Sequence, residues 1–553
     1  MNVRVNLLAI FVLSICSTCA HAQFDTVINL PENPDSPNPS GFSGNSIGGK
    51  IGISSNTQLN VSDGGLIGPL FDAGAEDVTS TDIEVNISGG KVALLFDANS
   101  GSTVNISGGT ILPGFNANSG STVNISGGTV DSGFDANSGS TVNISGGDAG
   151  AFFMANDGSE VNISGGTVGN FFNADSGSTV NISGGEFLLN GSTISDITSP
   201  FTLGDGDVFT GTLEDGSSFI FSSFISDRLN GVNLIETSTP ILSATPQIIN
   251  TASTLRSLGT GQTLTVQLGG ALGDNFTAVG ATLNVESGSV GSFAEVANSE
   301  ANVSGGTVGN NFDAFSGSTI NVSGGQIGGF FEAFDGSTVN ISGGTVGNVF
   351  NANSGSTVNI SGGTVDNLFN ANSGSTVNIS GGTVGENFDA FGGSTVNISG
   401  GTVGENFDAL IGSTVNISGG TFENFDALLG STVNISGGEV GIDFDAFSGS
   451  TVNLFGTEFF LNGSLVDAST LGEPFTIFDR GEDVVLSGVF ADGTLFDFDL
   501  NPNNTLFSSL DFFDSDSTLT ITLVPVAVPE PGCGLTLATM SLVLLVRRRR
   551  ALR

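Results

Sequence analysis

The sequence predicts an all-β fold, a parallel β-solenoid of 19-residue coils, and three observations predict it. The first is a period: Asn-Ile-Ser-Gly-Gly, or a close variant, returns every 19 residues through Asn86, Asn105, Asn124, Asn143, Asn162 and Asn181. A second array runs through Asn284, Asn302, Asn321, Asn340, Asn359, Asn378, Asn397, Asn416, Asn434 and Asn453, slipping to 18 residues at two joins. The second observation is alternation: Val142 and Ile144 interleave with Thr141, Asn143 and Ser145, and Phe134 and Ala136 flank Asp135, with Val130 opening a third short strand. The third is punctuation, because Ser-Gly and Gly-Gly turns separate these period-two segments. Three strands and three corners per repeat describe one coil of a solenoid, triangular in section, and the bias of parallel crossovers favours right-handed winding.

Taken in chain order, residues 1–22 read as a secretory signal. Arg4 precedes the apolar run Leu7 to Ile15, and Ala20-His21-Ala22 supplies small residues for cleavage after Ala22. Residues 23–46, with Pro31, Pro34, Pro37 and Pro39, read as an irregular leader. The first array occupies 47–185. Hydrogen bonds between coils run along the axis at about 4.8 Å per coil, so equivalent side chains stack in columns. The predicted inner column is Phe96, Phe115, Phe134, Phe153 and Phe172.

Residues 186–262 read as a cap and linker, 263–457 as the second array and 458–524 as a second cap. Open strand edges at the end of a stack invite fibre formation, so caps are expected. Two segments match each other in that role: Glu186 to Ser192 resembles Glu458 to Ser464, and Gly211 to Phe221 resembles Gly488 to Phe498. The chain is therefore one module duplicated, with a longer second array whose inner column is Phe312, Phe331, Phe350, Phe369, Phe388, Phe407, Phe425 and Phe444.

Composition excludes several functions. The net charge is −43, and no Lys, Arg or His lies between Ser257 and Asp479, which removes the means of neutralising phosphates and excludes nucleic acid as a partner. Once the signal leaves with Cys16 and Cys19, only Cys533 remains, so disulfides do not hold this fold. A lyase acting on acidic polysaccharide needs a cation for the substrate carboxylate and a base for its proton. Those groups are missing from the long array, its carboxylates are repeated everywhere without one pair being singled out, and no catalytic residue is assigned.

Residues 525–553 carry Pro529, Glu530 and Pro531, then an apolar run from Cys533 to Val546, then Arg547 to Arg550. That run covers only about 21 Å as a helix, and the arginines hold the cytoplasmic side. This order resembles the PEP-CTERM sorting signal of bacterial exported proteins. The resemblance implies recognition of the Pro-Glu-Pro motif by an exosortase-type membrane protease, removal of the tail, and delivery to the cell surface or extracellular matrix, with contact to the membrane only through the tail. The 19-residue repeat is similar in period and style to filamentous haemagglutinin-type adhesins, which implies a right-handed β-helix.

Two surface features invite a ligand. Asp389, Asp408, Asp426 and Asp445 form an outward row one coil apart, where calcium would relieve like charge as well as solvent and salt would. Thr357, Asn359 and Ser361 belong to a repeating polar grid suited to water or glycan. The expectation is an exported spacer, matrix component or adhesin without catalysis or a required cofactor, facing extracellular polysaccharide or a surface ligand. The alternatives are a polysaccharide-active lyase or glycosidase, and an ice-binding or calcium-binding repeat protein.

Overall fold

The computed structural model describes residues 24–31, 46–47, 52–74, 81–237, 245–467, 470–503 and 511–525. The predicted cleavage site at Ala22 and the motif Pro529, Glu530 and Pro531 lie outside them. The chain is all-β, a β-solenoid of about 21 turns of roughly 19 residues. Among the described residues one 3-10 turn, Ser223–Ile225, is the helical element.

Each coil contributes a Thr-Val-Asn-Ile strand, a Gly-Gly corner, a short Thr-Val run and a Phe-Asp-Ala strand. Equivalent residues pair in parallel register, as Val339 does with Val358 and Phe350 with Phe369. The Gly-Gly corner departs from the expected turn. Pairing continues through it with a register shift, so Thr357–Val365 is one bent strand of nine residues. Only glycine fits there: a Cβ on Gly362 would lie 2.5 Å from the carbonyl oxygen of Ser342, and Gly363 has φ +75°.

The phenylalanine columns are inside, as the spacing predicts; the first extends one coil further, to Phe71, and the second reaches Phe276 two coils before Phe312, with Ala294 at the coil between. Phe331, Phe350, Phe369, Phe388 and Phe407 stack nearly parallel at 4.6–4.9 Å between ring centroids. Val and Ile of the long strand and Ala of the short one complete an apolar interior. Burial of this apolar surface, multiplied by the number of coils, is the main driving force of the fold.

Two boundaries differ from the sequence reading. Thr26–Leu30, placed in the irregular leader, is a strand pairing in parallel with Thr57–Val61. Pro31 follows this strand directly, and Pro34, Pro37 and Pro39 lie outside the described residues. The second stack likewise opens before residue 263, because Gln247–Ile249 already pairs with Leu264–Val266.

Both caps are antiparallel hairpins inserted into the last coil. The first comprises Val208–Leu213 and Ser218–Ser222, the second Val485–Phe490 and Leu495–Asp499. After each hairpin the chain returns to complete the coil in parallel, Asn233 beside Asn181 and Thr520 beside Asn453. Carboxylates close the open backbone: Asp227 accepts from the amides of Phe172 and Ser222, both at 2.8 Å, and Asp511 accepts from those of Phe444 at 3.1 Å and Asp499 at 2.9 Å. Asp227→Ala orphans two buried donors and is expected to destabilise the first cap by about 2–4 kcal/mol. Hydrogen exchange should show the amides of Phe172 and Ser222 losing protection while those near Asn105 keep theirs.

Candidate functional site

The solenoid places one repeat position in one column, so its surface is a set of columns. In the first stack the strand face carries Asp97, Asn116 and Asp135, and beside them Asn99, Asn118, Asn137 and Asn156. These amides satisfy one another, each Nδ2 donating to the Oδ1 of the preceding coil at 2.9–3.0 Å.

The second stack changes that neighbouring column. There Phe391, Leu410, Leu428 and Phe447 stand beside Asp389, Asp408, Asp426 and Asp445, and none of the four is inside. The aspartates pair in register one coil apart, as the spacing predicts. Their surroundings correct the reading of an open, solvated row: Asp389, Asp408 and Asp426 are half-buried, and Asp445 is buried and accepts from the amide of Phe512 at 2.9 Å. Burial raises Asp389; it pushes Asp408 up to about 6, with the charge of Asp389 as the second cause. Asp426 and Asp445 rise to about 7, through burial first and then through neighbouring carboxylates that include Asp443. The arrangement is a row with one carboxylate per coil. Among the described residues, no three His, Cys, Asp or Glu side chains gather so as to hold a metal ion.

On the first coils of the same stack the apolar column is Val279, Ala297, Phe315 and Phe334, and it is covered. The outer face of the first cap hairpin packs onto it through Val208 and Ile220, and Phe224 stacks on Phe334 at 4.9 Å. The amide of Ser218 donates to Ser257 Oγ at 3.0 Å across the same contact. Two carboxylates of the neighbouring column, Glu295 and Asp313, are buried here and their pKa values are raised well above the ordinary range, chiefly by desolvation. The two stacks meet side by side through this contact, and no described strand of one pairs with a strand of the other. The sequence carried a signal for it, Phe or Leu at an outward position after Phe-Asp-Ala, which a consensus averaged over both arrays conceals.

A cleft of about 640 Å³ lies at the edge of this junction, lined in part by Asp148, Asp215, Gln247, Arg256 and Gln262. Its carboxylates are committed to structure. Asp215 accepts from the amide of Gly166 at 2.8 Å, and Asp148 accepts from that of Gly150 at 3.0 Å and lies 3.7 Å from Arg256. Asp492 does for the second cap what Asp215 does for the first, accepting from Gly438 at 3.0 Å.

The polar grid is also partly used internally. Asn359 donates to Asn340 and accepts from Asn378, both at 2.9 Å, within an amide ladder that runs the length of the stack. One further position carries apolar side chains in some coils of both stacks: Leu95, Phe152, Phe171, Phe330 and Leu368, each just before a buried phenylalanine, are 37–54% exposed, with Gly114 and Gly133 at that position between Leu95 and Phe152. All five adopt left-handed backbone, φ 59–65°, where glycine or asparagine costs less.

Stacked near-identical coils with inserted hairpin caps define a parallel β-solenoid with surface columns. No protein-family model and no curated protein matches the chain. Among solved structures it is similar to a TibC-catalysed, hyper-glycosylated TibA fragment, at 13% identity over 67% of this chain and 90% of that one, with a TM-score of 0.21.

Proposed function

We propose that this is an exported, non-catalytic repeat protein serving as a spacer or adhesive scaffold at the cell surface or in extracellular matrix. The observation that carries the reading is the uniformity of the columns. A catalytic site needs unlike groups at one place, whereas here each column draws on a few residue types and the carboxylates in the junction cleft hold backbone amides. The exposed pair Phe152 and Phe171, stacked at 4.5 Å between ring centroids, and the like-placed Leu95, Phe330 and Leu368 support adhesion, since they hold apolar side chains in left-handed backbone where glycine or asparagine fits better. The sorting-signal resemblance around Pro529, Glu530 and Pro531 supports delivery by an exosortase-type protease, and the acidic surface leaves polysaccharide or a surface ligand as the partner.

Fractionation of the producing cells tests the proposal. The protein is expected in extracellular polymer or on the outer surface, with its C-terminus ending before Cys533. Retention of the intact tail in the inner membrane contradicts the sorting route, and release of reducing or unsaturated ends from a polysaccharide panel contradicts the non-catalytic reading.

A further inference from the structure

The two cap hairpins are built alike but buried differently. In the first, the outward side chains Val208, Thr210, Thr212, Ser218, Ile220 and Ser222 are all at most 5% exposed, because the second stack covers them. The matching positions of the second hairpin are open: Leu495 is 80% exposed, Asp497 is exposed, and Val485, Ser487 and Val489 are half-exposed. The receiving surface is duplicated as well. Phe315 and Phe334 are 0% and 3% exposed beneath the first hairpin, and after two coils with Asn353 and Asn372 the same column becomes apolar again at Phe391, Leu410, Leu428 and Phe447. Within the described chain Phe512 packs on Phe447 at 5.5 Å between ring centroids, and no hairpin covers Phe391, Leu410 and Leu428, which are half-buried, while Ile411 and Leu429 beside them are 65% and 54% exposed.

One hairpin face and one column zone are thus left over, at the places that correspond to the contact joining the stacks; Val485 stands where Val208 does and Asp497 where Ile220 does, with Val489 and Leu495 as the further apolar side chains of the open face. They sit at the same end of one molecule, on different faces. We infer that the outer face of the second cap hairpin, Val485–Phe490 with Leu495–Asp499, docks onto the Phe391, Leu410, Leu428 and Phe447 column of a second copy of this chain. Because the two halves lie on different faces, each engages a different neighbour, so each copy keeps one free half and the assembly grows as an open chain; association that stops at a closed dimer, with hairpin and column exchanged reciprocally, contradicts this. It deepens the scaffold reading by naming the partner, yet it stands on the internal contact alone and holds if the cellular location proves different.

The test uses the full chain and two variants. The column variant carries Phe391→Asn, Leu410→Asn and Leu428→Asn, changes already tolerated at Asn353 and Asn372 of the same column. The hairpin variant carries Val489→Asp and Leu495→Asp. Sedimentation velocity at pH 5 with moderate salt reduces repulsion between two acidic copies. The parent is expected to form a concentration-dependent ladder of oligomers, while each variant alone associates at least about tenfold more weakly. An equimolar mixture should then give a one-to-one complex and nothing larger, since one intact hairpin meets one intact column. A monomeric parent, a hairpin variant that still self-associates through a symmetric column contact, or a mixture without the complex overturns the inference. Unchanged melting temperatures of both variants confirm that loss of association is not loss of fold. Failure of the localisation experiment with success here would discard the sorting route only.

Discussion

Phe369→Ala is expected to destabilise the second stack by about 3–5 kcal/mol, the range for removing a fully buried aromatic ring. Phe369 is 0% exposed and lies between Phe350 at 4.9 Å and Phe388 at 4.8 Å, so the void opens on rings at both sides. The backbone cannot close it, because the coil spacing is fixed by strand pairing on each side. In a stack stabilised by contacts between neighbouring coils, a weak central coil also uncouples the two halves. Urea unfolding followed by circular dichroism should show an earlier transition and a broader or divided one. A loss below about 1 kcal/mol would mean that the column does not carry the core.

The triple replacement Asp408→Asn, Asp426→Asn and Asp445→Asn is expected to stabilise the protein at pH 8 and flatten its pH dependence. The folded pKa values are raised, to about 6 for Asp408 and about 7 for Asp426 and Asp445. Between the unfolded carboxylate range near 4 and those values the native state binds more protons, so stability falls as pH rises through about 4 to 7 and returns on acidification. The combined effect at pH 8 is about 2–4 kcal/mol once solvent screening of the partly exposed members and their mutual coupling are discounted. Asparagine suits the column: Asn370 donates to Asn351 at 2.8 Å in the same row. Thermal melts at pH 5 and pH 8 check the sign. The parent should melt higher at pH 5, and the variant should lose most of that difference; a variant that melts lower at pH 8 would contradict the account.

Much of the fold is legible in residue spacing, since a 19-residue period with Phe and Ala on one side of Asp leaves little choice of inward face. The column Phe96 to Phe172, its counterpart Phe312 to Phe444 and the aspartate row follow from that rule. The bent passage of the Gly-Gly corner was not legible, because Gly362 and Gly363 read equally well as a break or as a bulge within a paired strand. The strand Thr26–Leu30 was hidden by the prolines after it. The surface environment was the hardest part. Whether Phe315 is exposed depends on Val208 and Ile220, about a hundred residues earlier. A repeat period describes neighbours along the axis and carries no information about contacts across it.

Pulsed electron-spin distance measurement between labels at Ser342 and Ser418 tests the stacked-coil account most directly. Both positions are exposed and lie four coils apart through the pairings of Asn340, Asn359, Asn378, Asn397 and Asn416. The account predicts a narrow distribution centred near 19 Å plus the reach of the labels, at about 4.8 Å per coil, with each further coil adding the same increment when the first label is moved to Ser323 and then Ser304. A broad distribution, or distances that do not grow by one constant step per repeat, would contradict it.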